Sequence, residues 1–398
     1  MTEQKYIYLD YAATTPMDPR VIEEFNKQMK ENYGNSSSLH AMGQKSAKTL
    51  NISRETIASL INAERNDIFF TSSGTESDNI SLLGVARRNK SRGNHIITSN
   101  IEHHAVINTC HHLEKQGFEI TYLPVDNQGL IDVKQLEESI TDNTILISIM
   151  FANNEIGTIE PIKEIGTIAK KHDIIFHTDA VQAFGKIPID VNELNIDLLS
   201  ATAHKLYGPK GTGMLFIRNK GLRSGWGKYI EPIMFGGGHE REMRPSTVNV
   251  PGIAAFAKAV ELAKEEIFTE INRQIKLRDK IVKIVLETIQ DSYLNGHPTL
   301  RLPNNVNLGF KYIEGESIVL DLDLVGIAAS TGSACSSKSL EPSHVLLAIG
   351  LSPQDAHGSL RVSLGRFALE EDINYFLEQL PLVIKRLRQI SPLQHKIN

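Results

Sequence analysis

Cysteine is scarce in this sequence, with two among 398 residues, Cys110 and Cys335. They are too few and too far apart for a disulfide framework, and neither has a second ligand at metal-binding spacing, so a reducing, cytoplasmic setting is expected. Tryptophan occurs once and aromatic residues make up 6%. Long apolar runs are absent as well. The longest, 145–152, has Ser148 inside it and falls far short of the roughly 20 residues of a membrane span. Residues 1–5 are polar, so no signal or transit peptide is expected. No charge sign dominates: Lys plus Arg is 42 against 47 for Asp plus Glu, a net charge of −5, which leaves no global basic field for nucleic acid. What remains is an average globular composition, 41% hydrophobic and 22% charged, in a chain long enough for two domains or one large α/β domain with an appendage.

From residue 67 to 217, short β-rich runs at 68–71, 95–98, 119–123, 144–151, 174–178, 198–202 and 214–217 alternate with helical patterns. Ile80, Leu83 and Val85, or Ile162, Ile165, Ile168 and Ala169, carry the helical period. That alternation predicts seven strands in a largely parallel sheet with helices on both faces. After Gly252 the pattern changes to long amphipathic helices, with Ile271, Ile275, Val282, Val285 and Ile289 on one stripe, and a helical tail that Pro381 should kink or split. Two Gly- and Ser-rich loops interrupt it, 236–240 and 330–337.

Ligands of such sheets bind at the carboxyl ends of the strands, and polar residues collect there. Ser73-Gly74-Thr75 opens a helix after the first strand, where free amides and the helix dipole suit a phosphate. No Lys follows Gly74 as a triphosphate-binding loop requires. Asp179 closes the fifth strand, and His204-Lys205 follow the sixth. A desolvated lysine near other cations is how a Schiff-base amine is made nucleophilic. A phosphate cradle, an acid for a pyridine nitrogen and such a lysine together specify pyridoxal phosphate. Cys335, flanked by Gly, Ala and serines, reads as a mobile nucleophile. Cys110 reads as packing, because its neighbours His111 and His112 point in other directions on a helix. His172, His344 and His395 read as residues of solvated faces.

Leu9-Asp10-Tyr11-Ala12-Ala13-Thr14-Thr15-Pro16, Ser73-Gly74-Thr75-Glu76-Ser77, Glu102-His103, Asn153-Asn154-Glu155, Asp179-Ala180-Val181-Gln182, His204-Lys205, residues 236–241 and Gly332-Ser333-Ala334-Cys335 resemble the cysteine desulfurases, class-V aminotransferase-like enzymes, in their IscS/NifS-like, iron–sulfur branch. The resemblance runs from about residue 9 to 393. It implies pyridoxal-phosphate fold type I, an α/β architecture: a large domain over 16–260 with a seven-stranded, mostly parallel sheet between helices, and a smaller α+β domain from 1–15 with 261–398 that carries the Cys335 loop.

Carried onto matching positions, the resemblance implies that Lys205 forms the Schiff base, Asp179 partners the pyridine nitrogen, and His103 stacks on the cofactor and carries protons. It places Gly74, Thr75, Thr202 and His204 at the phosphate, Gln182 at the phenolic oxygen, and Asn154 near that oxygen and the substrate. Thr247 reaches the phosphate of the other subunit, which implies an obligate homodimer. Arg361 clamps the substrate carboxylate, and Asn35 also belongs to the substrate site. The implied reaction removes sulfur from L-cysteine, giving L-alanine and a persulfide on Cys335. Acceptor proteins, such as an iron–sulfur scaffold or a tRNA thiolation enzyme, then take the sulfur; no direct nucleic-acid or membrane partner is expected. Ser36 stands where the family usually has proline and Thr202 where serine is usual, and the stretch 221–229 around Trp226 has no assigned role. A selenocysteine or cystine lyase on the same scaffold is the alternative, and a non-catalytic adaptor is a rival that an intact Lys205 and Asp179 argue against.

Overall fold

A computed structural model describes residues 6–218, 230–332 and 341–392. Its strands are β1 (Ile7–Tyr8), β2 (Ile68–Thr71), β3 (His95–Ser99), β4 (Glu119–Leu123), β5 (Thr144–Ser148), β6 (Ile175–Asp179), β7 (Leu198–Thr202), β8 (Gly213–Ile217), β9 (Ser292–Asn295), β10 (Asn305–Phe310), β11 (Ile327–Ala328) and β12 (Ser359–Ser363). Its helices are α1 (Pro19–Glu31), α2 (Ala41–Leu60), α3 (Gly74–Asn89), α4 (His104–Glu114), α5 (Val133–Glu138), α6 (Ile162–Lys171), α7 (Val250–Thr288), α8 (Gly315–Leu324), α9 (His344–Ala348), α10 (Pro353–His357) and α11 (Glu370–Ile390).

All seven expected strands are present and form one sheet in the order β2-β8-β7-β6-β5-β3-β4. β3 to β7 pair in parallel, whereas β8 runs antiparallel to both β2 and β7. The period of two is visible in the packing. Phe70, Ile97, Ile147, Phe176, Leu199 and Phe216 enter one core, and their neighbours Phe69, Ile96, Leu146, Ile175, Leu198 and Leu215 enter another on the opposite face. Covering both faces is what a parallel sheet requires. Cys110 lies in the second core, as expected of a packing residue.

A third core joins β1 to the later part of the chain, with Leu9, Tyr11, Leu277, Ile281, Val285, Val306, Leu360 and Phe376. α7 is one helix of 39 residues. Its first half packs Ile253, Phe256 and Val260 against the large core, and its second half turns Leu277, Ile281 and Val285 into the third. α11 continues through Pro381, which does not split it. The buried stripe Phe376, Leu380, Val383, Ile384 and Leu387 anchors the helix on both sides of the proline, and that burial offsets the ~3 kcal/mol a proline costs inside a helix.

Residues 240–246 are strained. Glu240, Arg241 and Glu242 have φ of 46, 55 and 70°. Ser246 has φ of 105°, a region that favours glycine. Compensation comes from ionic and cation–π contacts. Arg54 grips Glu240 through two nitrogens at 2.6 and 2.8 Å, Glu240 also accepts the Phe70 N–H at 2.8 Å, and the Arg241 guanidinium lies 3.8 Å over the Phe69 ring. Ser246→Gly removes left-handed strain at the cost of a looser unfolded chain, so the thermal midpoint should rise by ~1–2 °C. A lower midpoint would mean that the Ser246 side chain stabilises the turn.

Candidate active site

The parallel strands end at one edge of the sheet, and a cavity of about 360 Å³ opens there, within the size range of small-ligand sites. Gly74, Thr75, His103, Asn154, Asp179, Gln182, Thr202, His204, Lys205 and Arg361 all line it. Asn35 and Thr247 do not. Both are exposed, and Asn35 caps its own loop by accepting the Ser37 N–H at 3.0 Å. Cys335 lies outside the described residues, as does the stretch 221–229.

The N-terminal segment after β1 covers this edge. Ala12 donates its N–H to Ser363 Oγ at 2.8 Å, and Thr15 donates its N–H to the His204 carbonyl at 3.0 Å. Lys205 sits on a single 3-10 turn after β7 and donates to the Ala12 and Ala13 carbonyls, each at 2.6 Å. Arg361, in β12, donates to Asp10 Oδ1 at 2.8 Å and to the Asn154 carbonyl at 3.1 Å. It is 2% exposed.

Burial decides the electrostatics. His103 caps α4 by accepting the Ala105 N–H on Nδ1 at 3.1 Å, which fixes the neutral tautomer with its proton on Nε2. Burial, with Lys205 nearby, pushes its pKa down to about 4. Burial also pushes His204 down to about 4 and His177 to about 3. His177 bridges Ser148 and Ser200, at 2.9 and 3.0 Å, beneath Asp179. Burial raises the Asp179 carboxyl above the usual range, and the neighbouring Asp78 is raised further by burial and by the Asp179 charge.

Several cavity residues escaped the sequence reading. Asp78 lies one turn after Gly74, with Ser77 and Ser81, on a buried polar stripe of α3; that run of polar residues on a core-facing helix was the available signal. His344, expected on a solvated face, instead lines the cavity. Its ring packs 4.9 Å from that of His104, and its Nε2 lies 3.0 Å from the Glu102 carbonyl. Glu155 accepts from Ser343 Oγ at 2.5 Å.

These features fit pyridoxal phosphate. Gly74 and Thr75 begin a 16-residue helix, so their amides lack intrahelical partners. A Cβ on Gly74 would come 2.5 Å from Val181 Cγ2, so any larger residue there requires the Val181 side chain to shift. Two buried polar atoms of cavity residues, Asp78 Oδ1 and Arg361 Nε, have no hydrogen-bond partner among the described residues, and Asp78 Oδ1 lies 3.6 Å from His177 Nε2. The Aminotransferase class-V family matches residues 7–376. The chain belongs to this family.

Within the class-V aminotransferases it is 54% identical to the cysteine desulfurase IscS of Methanosarcina thermophila over 395 residues, 99% of this chain and 96% of that one. A solved NifS-like protein superposes with a TM-score of 0.89 at 38% identity, covering 96% of this chain and 100% of its own. SspA, solved in complex with cysteine, gives 0.77 at 36% identity over 91% of this chain and 100% of its own. The fold is pyridoxal-phosphate fold type I, and the cofactor of this class-V enzyme is pyridoxal phosphate.

Glu102, next to His103, is fully buried, and only Oε1 is bonded, by Ser99 Oγ at 2.7 Å and the Met150 N–H at 2.9 Å. Burial pushes its pKa up to about 8. The folded state therefore holds a proton that the unfolded chain releases above about 4.5. That contribution is complete below pH 4.5 and is lost as pH rises through about 8. Relative to wild type, Glu102→Gln should gain stability across this window, by at most ~1.4 kcal/mol per pH unit. Urea unfolding at several pH values measures this, and parallel curves would mean that Glu102 is ionised in the fold.

Proposed function

We propose that this protein is a cysteine desulfurase that takes sulfur from L-cysteine, releases L-alanine and leaves a persulfide on Cys335. The observation that carries this reading is the convergence of Lys205, Asp179, His103 and Arg361 on one cavity. Its relatives support the substrate: one is named a cysteine desulfurase and another was solved with cysteine.

When bound, pyridoxal phosphate supplies the electron sink that makes cleavage at the substrate β-carbon possible. Gly74, Thr75, Thr202 and His204 would hold its phosphate, and Asp179 would keep a proton on the pyridine nitrogen. Gln182 and Asn154 would serve its phenolic oxygen. Arg361 takes the substrate carboxylate with a planar fork suited to two oxygens. Lys205 would move the proton at the substrate α-carbon, and neutral His103, with Nδ1 taken by the Ala105 N–H and its proton on Nε2, offers the cavity a donor. Cys335 thiolate attacks the substrate sulfur, so that an S–S bond forms as the C–S bond breaks, and the carbon takes up a proton to become alanine.

Exposed Thr247, at the end of the strained turn, serves the phosphate of a second subunit in a homodimer, with Asn35 at the substrate entrance. The large domain is 16–260, around the cores on the two faces of the sheet, and the smaller domain is 1–15 with 261–398, around the third core. The setting is cytoplasmic, and the persulfide passes to an acceptor such as an iron–sulfur scaffold or a tRNA thiolation enzyme. No described helix is long and apolar enough to cross a membrane.

Cys335→Ser tests the reaction, because it keeps the size of the side chain and replaces the sulfur nucleophile with a hydroxyl. Alanine release and persulfide formation should fall together by a factor of 10² or more, with cofactor retained. Alanine release near the wild-type rate would make the enzyme a lyase, of the selenocysteine or cystine type. Borohydride reduction and peptide mapping should place the cofactor on Lys205, and Lys205→Ala should abolish that label. Sedimentation should show a dimer; a fully active monomer would remove the role given to Thr247.

A further inference from the structure

Lys186 is a half-buried amine that the mechanism above leaves unused. It follows the turn after β6, where Gly185 has φ of 71° and a Cβ would meet Leu206 Cδ1 at 2.5 Å. Its Nζ donates to Gln182 Oε1 at 3.0 Å. Gln182 Nε2 in turn donates to the Ala12 carbonyl at 3.0 Å, which also receives Lys205 Nζ at 2.6 Å. One carbonyl thus joins the two lysines through a single amide. Burial, then the charges of Lys205 and Arg361, push the Lys186 pKa down to about 7; His204 faces the same group. On its other side, a cavity of about 30 Å³ brings Tyr11, Tyr207, Glu266, Glu270 and Arg366 around it.

We infer that Lys186 is a positioning residue: its amine fixes the Gln182 amide with the oxygen toward Lys186 and the NH2 toward the cofactor cavity. The two ends of a glutamine amide have nearly the same shape, so packing alone does not choose between them. Below about pH 7 Lys186 is an ammonium, and an ammonium does choose, because it has three donors and no acceptor. With Oε1 held by Lys186 and one Nε2 hydrogen held by Ala12, the second hydrogen is left for the cavity that Gln182 lines. Gln182 then meets a ligand oxygen only as a donor. This rests on the pyridoxal-phosphate reading, in which that oxygen is the phenolic one. A donor there favours the ionised oxygen, whereas a flipped amide would set oxygen against oxygen.

The absorption band of bound cofactor, followed against pH, reads the ionisation of the cofactor directly and independently of turnover. In Lys186→Met the midpoint of that titration should rise by roughly one unit, and cofactor affinity measured with the apoprotein should fall. Lys186→Arg, which keeps a cationic donor, should restore the wild-type midpoint. In a Gln182→Leu background, Lys186→Met should shift the midpoint no further. A full further shift would show that the Lys186 charge acts without the amide, and would overturn the inference. An unmoved midpoint in Lys186→Met, with the cofactor still mapped to Lys205, overturns it while leaving the functional reading intact; mapping to another residue in wild type overturns both. If Lys186→Met fails to fold, Gln182→Glu reads the same contact from the other end. A carboxylate cannot donate, so the midpoint should rise, and a midpoint that stays put overturns the assignment.

Discussion

Lys205 is held by two backbone carbonyls that belong to the N-terminal segment. A buried amine needs acceptors, and Ala12 and Ala13 supply them at 2.6 Å. That requirement ties the N-terminal segment across the carboxyl edge of the sheet. The same segment begins in β1, which pairs with β11, and carries Asp10, which pairs with Arg361. One contact on a lysine thus fixes where the large core and the third core meet. The cavity exists only at that junction, because its floor comes from the first and its Arg361 wall from the second.

Charge at the junction is balanced by position. Lys205, Lys186 and Arg361 bring cations to one place, and Asp179, Asp78 and Glu155 bring acids. Burial disfavours the charged form of each, so Lys186 drifts down and Asp78, Asp179 and Glu155 drift up. The histidines respond most simply. They are neutral, so His177 can bridge Ser148 and Ser200, and through them β5, β6 and β7, without bringing a further charge beneath Asp179. A neutral ring there costs less than an ion would.

The strands were legible in the sequence because both faces of the sheet are buried, which leaves compact apolar runs bounded by turn residues. The direction of β8 was not legible, since antiparallel pairing leaves the same composition as parallel. Pro381 does not split α11 because its local penalty is small beside the burial of Phe376, Leu380 and Ile384 on the helix around it. In the site, Lys205, Asp179 and Gly74 could be found because each follows a strand in the chain. His344 could not. It stands on the five-residue α9, far along the chain, and reaches the cavity only through packing of that helix beside Ile101, Met150 and Ile156.

The strained turn at 240–246 follows a different logic from the cavity. Each left-handed residue costs ~1–3 kcal/mol, and four such residues in seven positions need firm anchors. The anchors face inward: Glu240 to Arg54 and the Phe70 amide, Arg241 over Phe69, and Arg244 to Glu76 at 2.8 Å. Glu76 also accepts the Ser72 N–H at 2.6 Å, beside the Gly74 helix start. The turn is therefore braced against the same β2–α3 corner that would bind the phosphate, while Ser246 and Thr247 stay exposed. Among the described residues, no side-chain hydrogen bond or ion pair is made by Ser246 or Thr247 at that exposed end. Strain held in a braced segment whose exposed tip stands beside the Gly74 helix start fixes where that tip points, and this is the physical reasoning behind the proposal that Thr247 meets a second subunit.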